Sequence, residues 1–459
     1  MSAIGENIAR IRAEIDAAAR ETGRTGKDIT LVGASKMNDA AACQEAIAAG
    51  IDALGENRVQ EMTAKLPEHA YDGAPLHFIG HLQRNKVRQV VGKAALIHSV
   101  GSVELLEEIR RCNDLIYERC PKYALQYGPT IGDDGFRELM KERLQKIKGI
   151  NPEGNDILVT SGSQQGLTLM PMTVTNEGDV VLVEQYTYMG ALSCMRGMCA
   201  VPVGVKVDDD GINLEALEEA CKTIKNVRYL YLIPNFQNPM GVTIPFEKRK
   251  KIYELACKYD FLIYEDDPYG ELRYTGEPVP SFKSIDTEGR VVYAGSFSKI
   301  LCSGIRLGFI CASNEMIAKM TALKGNLDSG SPVSSSLIAR YFMEEGKLDP
   351  HIEEVRALYA KKREAMMSGL DKYMSSKCTR TNPEGGMFLW VTLPEDADAD
   401  AVFDACLENH IGVIPSVCFA PDESKPGKSF RLCFATPTLE EIEIGCKRFG
   451  DVTKKFFGE

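Results

Sequence analysis

Short apolar runs alternating with helix-period segments, interrupted once near residues 110–123, constrain this chain more than any other feature. Ahead of the interruption, Ile4, Ile8, Ile11 and Ile15 recur at the spacing of an amphipathic helix. Strand-like runs at 29–34, 53–55, 77–80 and 95–99 then alternate with helical stretches at 38–49, 58–66 and 83–92. Each run ends in a polar or small cluster (Ser35-Lys36, Glu56-Asn57, His81, Ser99), where α/β folds present functional groups. A closed barrel needs eight such units over about 250 residues. Half that number is legible, so residues 1–112 read as an incomplete (βα) barrel segment.

At the interruption, Arg110-Arg111-Cys112-Asn113 leads to Cys120-Pro121 and then to turn chemistry at 124–130. Beyond it the pattern predicts a helix at 134–147, a strand at 157–160, a helix at 163–173 and strands at 179–183 and 228–233. A helix at 246–258 and strands at 261–265 and 291–294 follow. Strands alternating with helices imply an α/β domain with a mostly parallel sheet covered on both faces. A long helix over 351–374, a strand at 386–392 and a last helix at 438–456 form a smaller α+β lobe. The expected domains are therefore 1–112, 113–340 and 341–459.

A chain of 459 residues that is 44% hydrophobic buries more than one core. Its formal charge of −11 argues against nucleic acid as the main partner. Fourteen cysteines are scattered without C-x-x-C pairs or Cys/His ligand spacing. They read as reduced thiols, with no metal site implied. There is no basic n-region ahead of an apolar run, and no apolar stretch of about 18 residues. A cytoplasmic protein without a membrane span is expected.

The chemistry concentrates in six segments. In Ser296-Phe297-Ser298-Lys299, followed by Arg306, a lysine lies among hydroxyls with a cation seven residues on. A lysine is nucleophilic only when uncharged, which a desolvated, electropositive pocket favours. Ser296, Ser298 and Arg306 supply donors for a phosphate dianion. This is what a pyridoxal phosphate site requires, with Lys299 able to form the Schiff base. Thr160-Ser161-Gly162-Ser163-Gln164 opens a helix after an apolar strand, aiming free N–H groups at an anion; an ordinary N-cap is the alternative. Asp266 and Tyr269 follow the 261–265 run, and a carboxylate there can pair with a pyridinium nitrogen; a turn capped by Asp before Pro268 competes. Asn238 is placed to donate to a phenolic oxygen, with a plain Asn-Pro/Gly turn as the alternative, and Tyr188 to stack on a ring, with an ordinary core position competing. Arg431 stands inside an apolar run, where a substrate carboxylate or an internal salt bridge would be its partner.

The strings ALQYGPT (124–130), TSGSQQGL (160–167), PNFQNPMG (234–241), EDDPY (265–269), SFSKILCSGIRLG (296–308), GGMFLW (385–390) and SFRLCF (429–434) occur in an order that closely resembles class I/II aminotransferases of fold type I. The resemblance covers about 113–459 and is nearest the aminoadipate/kynurenine and multisubstrate branch. It implies a homodimer that uses pyridoxal phosphate to transaminate between an amino acid and a 2-oxo acid. Lys299 would be the Schiff-base and proton-shuttling lysine, Asp266 would meet the ring nitrogen, Asn238 and Tyr269 the ring hydroxyl, and Tyr188 the ring face. Ser163, Gln164, Ser296, Ser298 and Arg306 would hold the phosphate, with Tyr127 reaching it from the other subunit. Arg431 would bind the substrate α-carboxylate, and Asn238 would also contact substrate.

Residues 1 to about 110 resemble the N-terminal part of the pyridoxal phosphate homeostasis proteins, through LVGASK (31–36), GIDALGENRVQE (50–61), LHFIGHLQRNK (76–86) and IHSV (97–100). Lys36 falls on that family's cofactor lysine. The second half of the barrel, which carries the phosphate loops, is missing, and so is the arm that usually precedes an aminotransferase. An enzyme impaired by the missing arm is one expectation. A non-catalytic cofactor-binding protein led by the N-terminal segment is the competing class.

Overall fold

The computed structural model describes residues 3–21, 25–26, 29–35, 38–56, 59–78, 96–97, 103–422 and 427–459. The chain divides into two compact units, Met1–Glu107 and Glu108–Glu459. Lys36, His81 and the helix expected at 83–92 lie outside the described residues.

In the first unit, β1 (Val32–Ala34), β2 (Ala53–Glu56), β3 (Leu76–Phe78) and β4 (Leu96–Ile97) pair in parallel in sequence order. Helix Ala3–Glu21 precedes them, and helices Ala40–Ala48 and Val59–Lys65 connect them. Ile8, Cys43, Leu54, Met62 and Leu76 make the apolar core. At the strand ends Glu56 is fully buried, and its Oε1 accepts from Lys65 Nζ at 2.7 Å and from Ser35 Oγ and Tyr71 OH at 2.8 Å. A buried carboxylate is tolerated because it is paired and hydrogen-bonded.

The helix Val103–Arg119 runs through residues 110–113, the start of the stretch where the pattern changes, and it buries Cys112 and Ile116 one turn apart. The real break comes at Pro121, which occupies the first position of the next short helix, Pro121–Leu125.

The second unit is built on β5 (Asn155–Thr160), β6 (Val180–Glu184), β7 (Val201–Val205), β10 (Val227–Leu232), β11 (Leu262–Asp266), β12 (Val291–Ser296) and β13 (Gly308–Ser313), with β8 (Val207–Asp208) and β9 (Gly211–Ile212) forming a separate ribbon. The sheet order is β5-β13-β12-β11-β10-β6-β7. Strand β13 is antiparallel to both neighbours, and the remaining pairs are parallel. The connection 297–307 is too short for a parallel crossover, which needs a dozen or more residues, so β13 must return antiparallel. That return loop contains Lys299.

Alternation on the strands feeds two cores. Tyr229, Tyr231 and Val292 face one cluster with helices Ser163–Val174 and Met189–Gly197, while Leu230, Leu232 and Val291 face another with helix Phe246–Tyr259. This two-sided burial is why the strands read as continuous apolar runs. A third core, with Leu389, Val391, Phe430 and Phe449, belongs to the antiparallel sheet β14-β15-β17-β16: β14 (Thr379–Arg380), β15 (Phe388–Thr392), β16 (Ile414–Pro415) and β17 (Ser429–Cys433). Helices Leu348–Tyr373 and Leu439–Phe457 pack on it, the latter started by a Thr438/Glu441 capping box. Among the described residues no helix is long and apolar enough to cross a membrane.

Candidate active site

The C-terminal ends of β5, β6, β10, β11 and β12 lie along one edge of the large sheet, and the residues expected to carry chemistry follow them: Ser163 and Gln164, Tyr188, Asn238, Asp266 and Tyr269, and Ser296, Ser298 and Lys299. Open α/β sheets bind ligands at this edge.

At the end of β5, Gly162 adopts φ 82° and caps the helix Ser163–Val174. A Cβ on Gly162 would run into the Arg306 guanidinium, and one on Gly308 would meet the Ser163 backbone nitrogen at 2.7 Å. The two glycines thus let a cation and a helix N-terminus approach one spot, a cradle suited to a phosphate dianion. Burial lowers the pKa of Arg306, opposed only by the Tyr188 phenol. No carboxylate of the described residues neutralises it. Ser296 is buried, and its hydroxyl oxygen accepts from the Ser298 N–H at 3.1 Å. The Gln164 side chain donates to Gly190 O at 3.2 Å and to Cys194 Sγ at 2.9 Å, tying the phosphate helix to the helix that starts after Tyr188.

The Lys299 amine has its pKa lowered, first by burial and then by Arg306 and Arg431, with the Cys433 thiol opposing. A neutral, nucleophilic amine is favoured. Asp266 is fully enclosed, and burial pushes its carboxyl up to about 7, against a hydrogen bond from Tyr231 and with Asp267 adding repulsion. Asp266 Oδ2 accepts from Tyr231 OH at 2.8 Å, whereas Oδ1 is buried without a partner among the described residues. Such an orphan oxygen is costly unless a donor arrives, and a protonated ring nitrogen is a donor of the right charge. The neighbouring Asp267 serves the fold instead, accepting from Lys148 Nζ at 2.6 Å, Asn235 Nδ2 at 2.8 Å and Tyr293 OH at 2.9 Å. Tyr269 is buried edge-on to Phe388, with ring centroids 5.7 Å apart.

Arg431 makes no salt bridge with any described residue. Its Nη1 donates to Asn238 Oδ1 at 2.9 Å, its Nε is buried without a partner, and its guanidinium lies 4.4 Å from the Phe388 ring and 5.1 Å from the Phe419 ring. The two rings hold the fork in place by cation–π attraction, leaving it able to grip a carboxylate. This geometry favours the substrate-carboxylate reading over an internal ion pair. Asn238, with its oxygen occupied by Arg431, keeps its amide N–H groups for another acceptor.

The structure thus brings together Ser163, Gln164, Tyr188, Asn238, Asp266, Tyr269, Ser296, Ser298, Lys299, Arg306 and Arg431. Tyr127 stands apart, 91% exposed. Three neighbours carried no expectation: Tyr231, Phe388 and Phe419. For Tyr231 the available signal was a phenol at an inward position of a strand leading into PNFQNPMG; Phe388 lay unremarked inside GGMFLW.

Orphan anionic and cationic groups, a phosphate cradle and a half-buried lysine together fit pyridoxal phosphate. Comparison with known proteins agrees. The chain is 38% identical to aromatic-amino-acid aminotransferase 1 of Thermococcus litoralis, over 77% of this chain and 85% of that protein. It is 32% identical to 2-aminoadipate transaminase of Thermus thermophilus, over 82% and 95%. A Pyrococcus horikoshii kynurenine aminotransferase structure, solved with PMP, superimposes with a TM-score of 0.75 at 37% identity, covering 78% of this chain and 90% of that one. With the family model for aminotransferase class I and II matching residues 105–449, the chain belongs to that family and is a pyridoxal-phosphate-dependent aminotransferase.

Proposed function

We propose that this one site carries the whole transamination, in named roles. Bound pyridoxal phosphate supplies the carbonyl carbon to which amines bond and the ring that draws off electrons. Lys299 Nζ holds the cofactor covalently, and once an amino acid displaces it, the same amine moves the proton from the substrate α carbon. Asp266 Oδ1 meets the ring nitrogen, Asn238 and Tyr269 donate to the ring hydroxyl, and Tyr188 covers the ring face. Ser163, Gln164, Ser296, Ser298 and Arg306 anchor the phosphate, and Arg431 grips the α-carboxylate of amino acid and 2-oxo acid alike. A ping-pong exchange follows, since one carboxylate site serves both reactants in turn. The observation that carries this reading is the pairing of a deprotonation-prone Lys299 with an orphaned Asp266 oxygen.

The relatives point to amino donors of the aromatic, kynurenine or 2-aminoadipate kind. The exposure of Tyr127 supports a homodimer in which it reaches the partner's phosphate. The separate cores support large and small domains at 113–340 and 341–459. The sequential parallel order β1-β2-β3-β4 supports reading 1–112 as part of a homeostasis-protein barrel. Fourteen free thiols support a reducing cytoplasmic setting.

A coupled assay with 2-oxoglutarate as acceptor tests the roles. The protein should convert an aromatic or aminoadipate donor, and Lys299→Ala should abolish turnover while leaving the fold intact. Turnover persisting in Lys299→Ala would overturn the assignment.

A further inference from the structure

Tyr231 sits on β10, fully buried, in register with Tyr264 of β11, and reaches diagonally to the carboxylate that ends β11. Its hydroxyl differs from that of its neighbour. The Tyr264 hydroxyl is buried with no partner among the described residues, so packing alone accommodates a phenol there, whereas the Tyr231 hydroxyl donates to Asp266 Oδ2 at 2.8 Å. The ring itself packs at 5.9 Å from the Tyr264 ring, a contact that phenylalanine would keep. What tyrosine adds at 231 is the hydrogen bond. That bond occupies one carboxylate oxygen and leaves the other, Oδ1, as the open acceptor.

A donor to a carboxylate stabilises the anion over the neutral acid. It also restrains rotation of the short Asp side chain, because turning it would break a buried bond. We propose that Tyr231 is a positioning residue of the transamination site: it fixes the plane of Asp266, keeps the carboxylate anionic, and so leaves the shared proton on the cofactor ring nitrogen. This rests on the assignment of Asp266 to that nitrogen. A proton drawn off to Asp266 would weaken the ring as an electron sink. Asp267 cannot substitute, since its oxygens are engaged by Lys148, Asn235 and Tyr293.

The test uses holoenzyme reconstituted with pyridoxal phosphate labelled with ¹⁵N in the ring, for the natural sequence, Tyr231→Phe, Asp266→Asn and the double variant. Nitrogen NMR reports where the ring proton lies, and titration of apoenzyme gives cofactor affinity. Tyr231→Phe, which keeps the ring volume, should move the nitrogen signal towards neutral pyridine and weaken cofactor binding about tenfold, the scale of a lost hydrogen bond to a charged group. In the Asp266→Asn background the same change should have little further effect. An unmoved nitrogen signal in Tyr231→Phe, or an equal loss of affinity in both backgrounds, would reduce Tyr231 to a packing residue and overturn the proposal. An Asp266→Asn protein with unchanged affinity and ring protonation would instead overturn the assignment of Asp266, and this inference with it.

Discussion

At the level of single residues, the site combines groups that the sequence announces with groups that only folding assembles. Lys299, Arg306 and Asp266 were legible because each stands in a dense motif whose residue types match a phosphate, an amine or a ring nitrogen. Phe388 and Phe419 were not, since the contact with Arg431 depends on the small sheet, where Trp390 pairs with Arg431 and sets Phe388 two positions along the neighbouring strand. Arg431→Ala should raise KM for amino acid about 10- to 100-fold, as expected for losing a charge-assisted contact, while cofactor absorbance stays intact. Cofactor loss on purification would make Arg431 structural. Phe419→Leu should give a smaller rise in KM, since cation–π attraction contributes about 0.5–2 kcal/mol. Steady-state kinetics on both variants distinguishes the two effects.

At the level of elements, apolar runs fully buried on both faces were easy to find, and β10, β11 and β12 lie within a residue or two of their expected bounds. Strand β7, whose burial is mixed, and β13, which follows directly on the Lys299 loop, were not expected. Strand ends carry testable strain and charge. Gly162→Ala would force a side chain into φ 82° and against Arg306. A destabilisation of about 1–3 kcal/mol and faster cofactor release should follow, checked by melting and by dilution of the holoenzyme. At the end of β6, burial raises the Glu184 carboxyl from its ordinary 4.5 to about 8. The folded protein therefore keeps a proton that the unfolded chain gives up between those values. The associated stability is complete below about pH 4.5 and is lost as pH rises through about 8. Glu184→Gln should flatten that decline by up to about 1.4 kcal/mol per pH unit, read as a smaller fall in apoenzyme melting temperature between pH 5 and pH 8. An equally steep fall in the variant would show that Glu184 is ionised in the folded state.

At the level of the whole molecule, the aminotransferase match over 105–449 is preceded in sequence by a separate N-terminal unit. The alternation of strands and helices was legible on both sides of the junction, where the helix Val103–Arg119 runs on to Cys120 and Pro121 opens the next helix. On the proposed reading of residues 1–112 as standing in the place of an aminotransferase's arm, positioning of substrate is the vulnerable step, and a small misplacement can reduce the rate about 10²-fold. Replacing 1–112 with the arm of a multisubstrate relative should raise kcat/KM; an unchanged value would mean the segment already does the arm's work. The central claim, that chemistry resides at Lys299 rather than at the lysine of the N-terminal segment, is tested most directly by borohydride reduction of the holoenzyme followed by peptide mass spectrometry. The pyridoxyl label should fall on the Lys299 peptide, with little or none on Lys36. A label found mainly on Lys36, and lost in Lys36→Ala but not in Lys299→Ala, would contradict it.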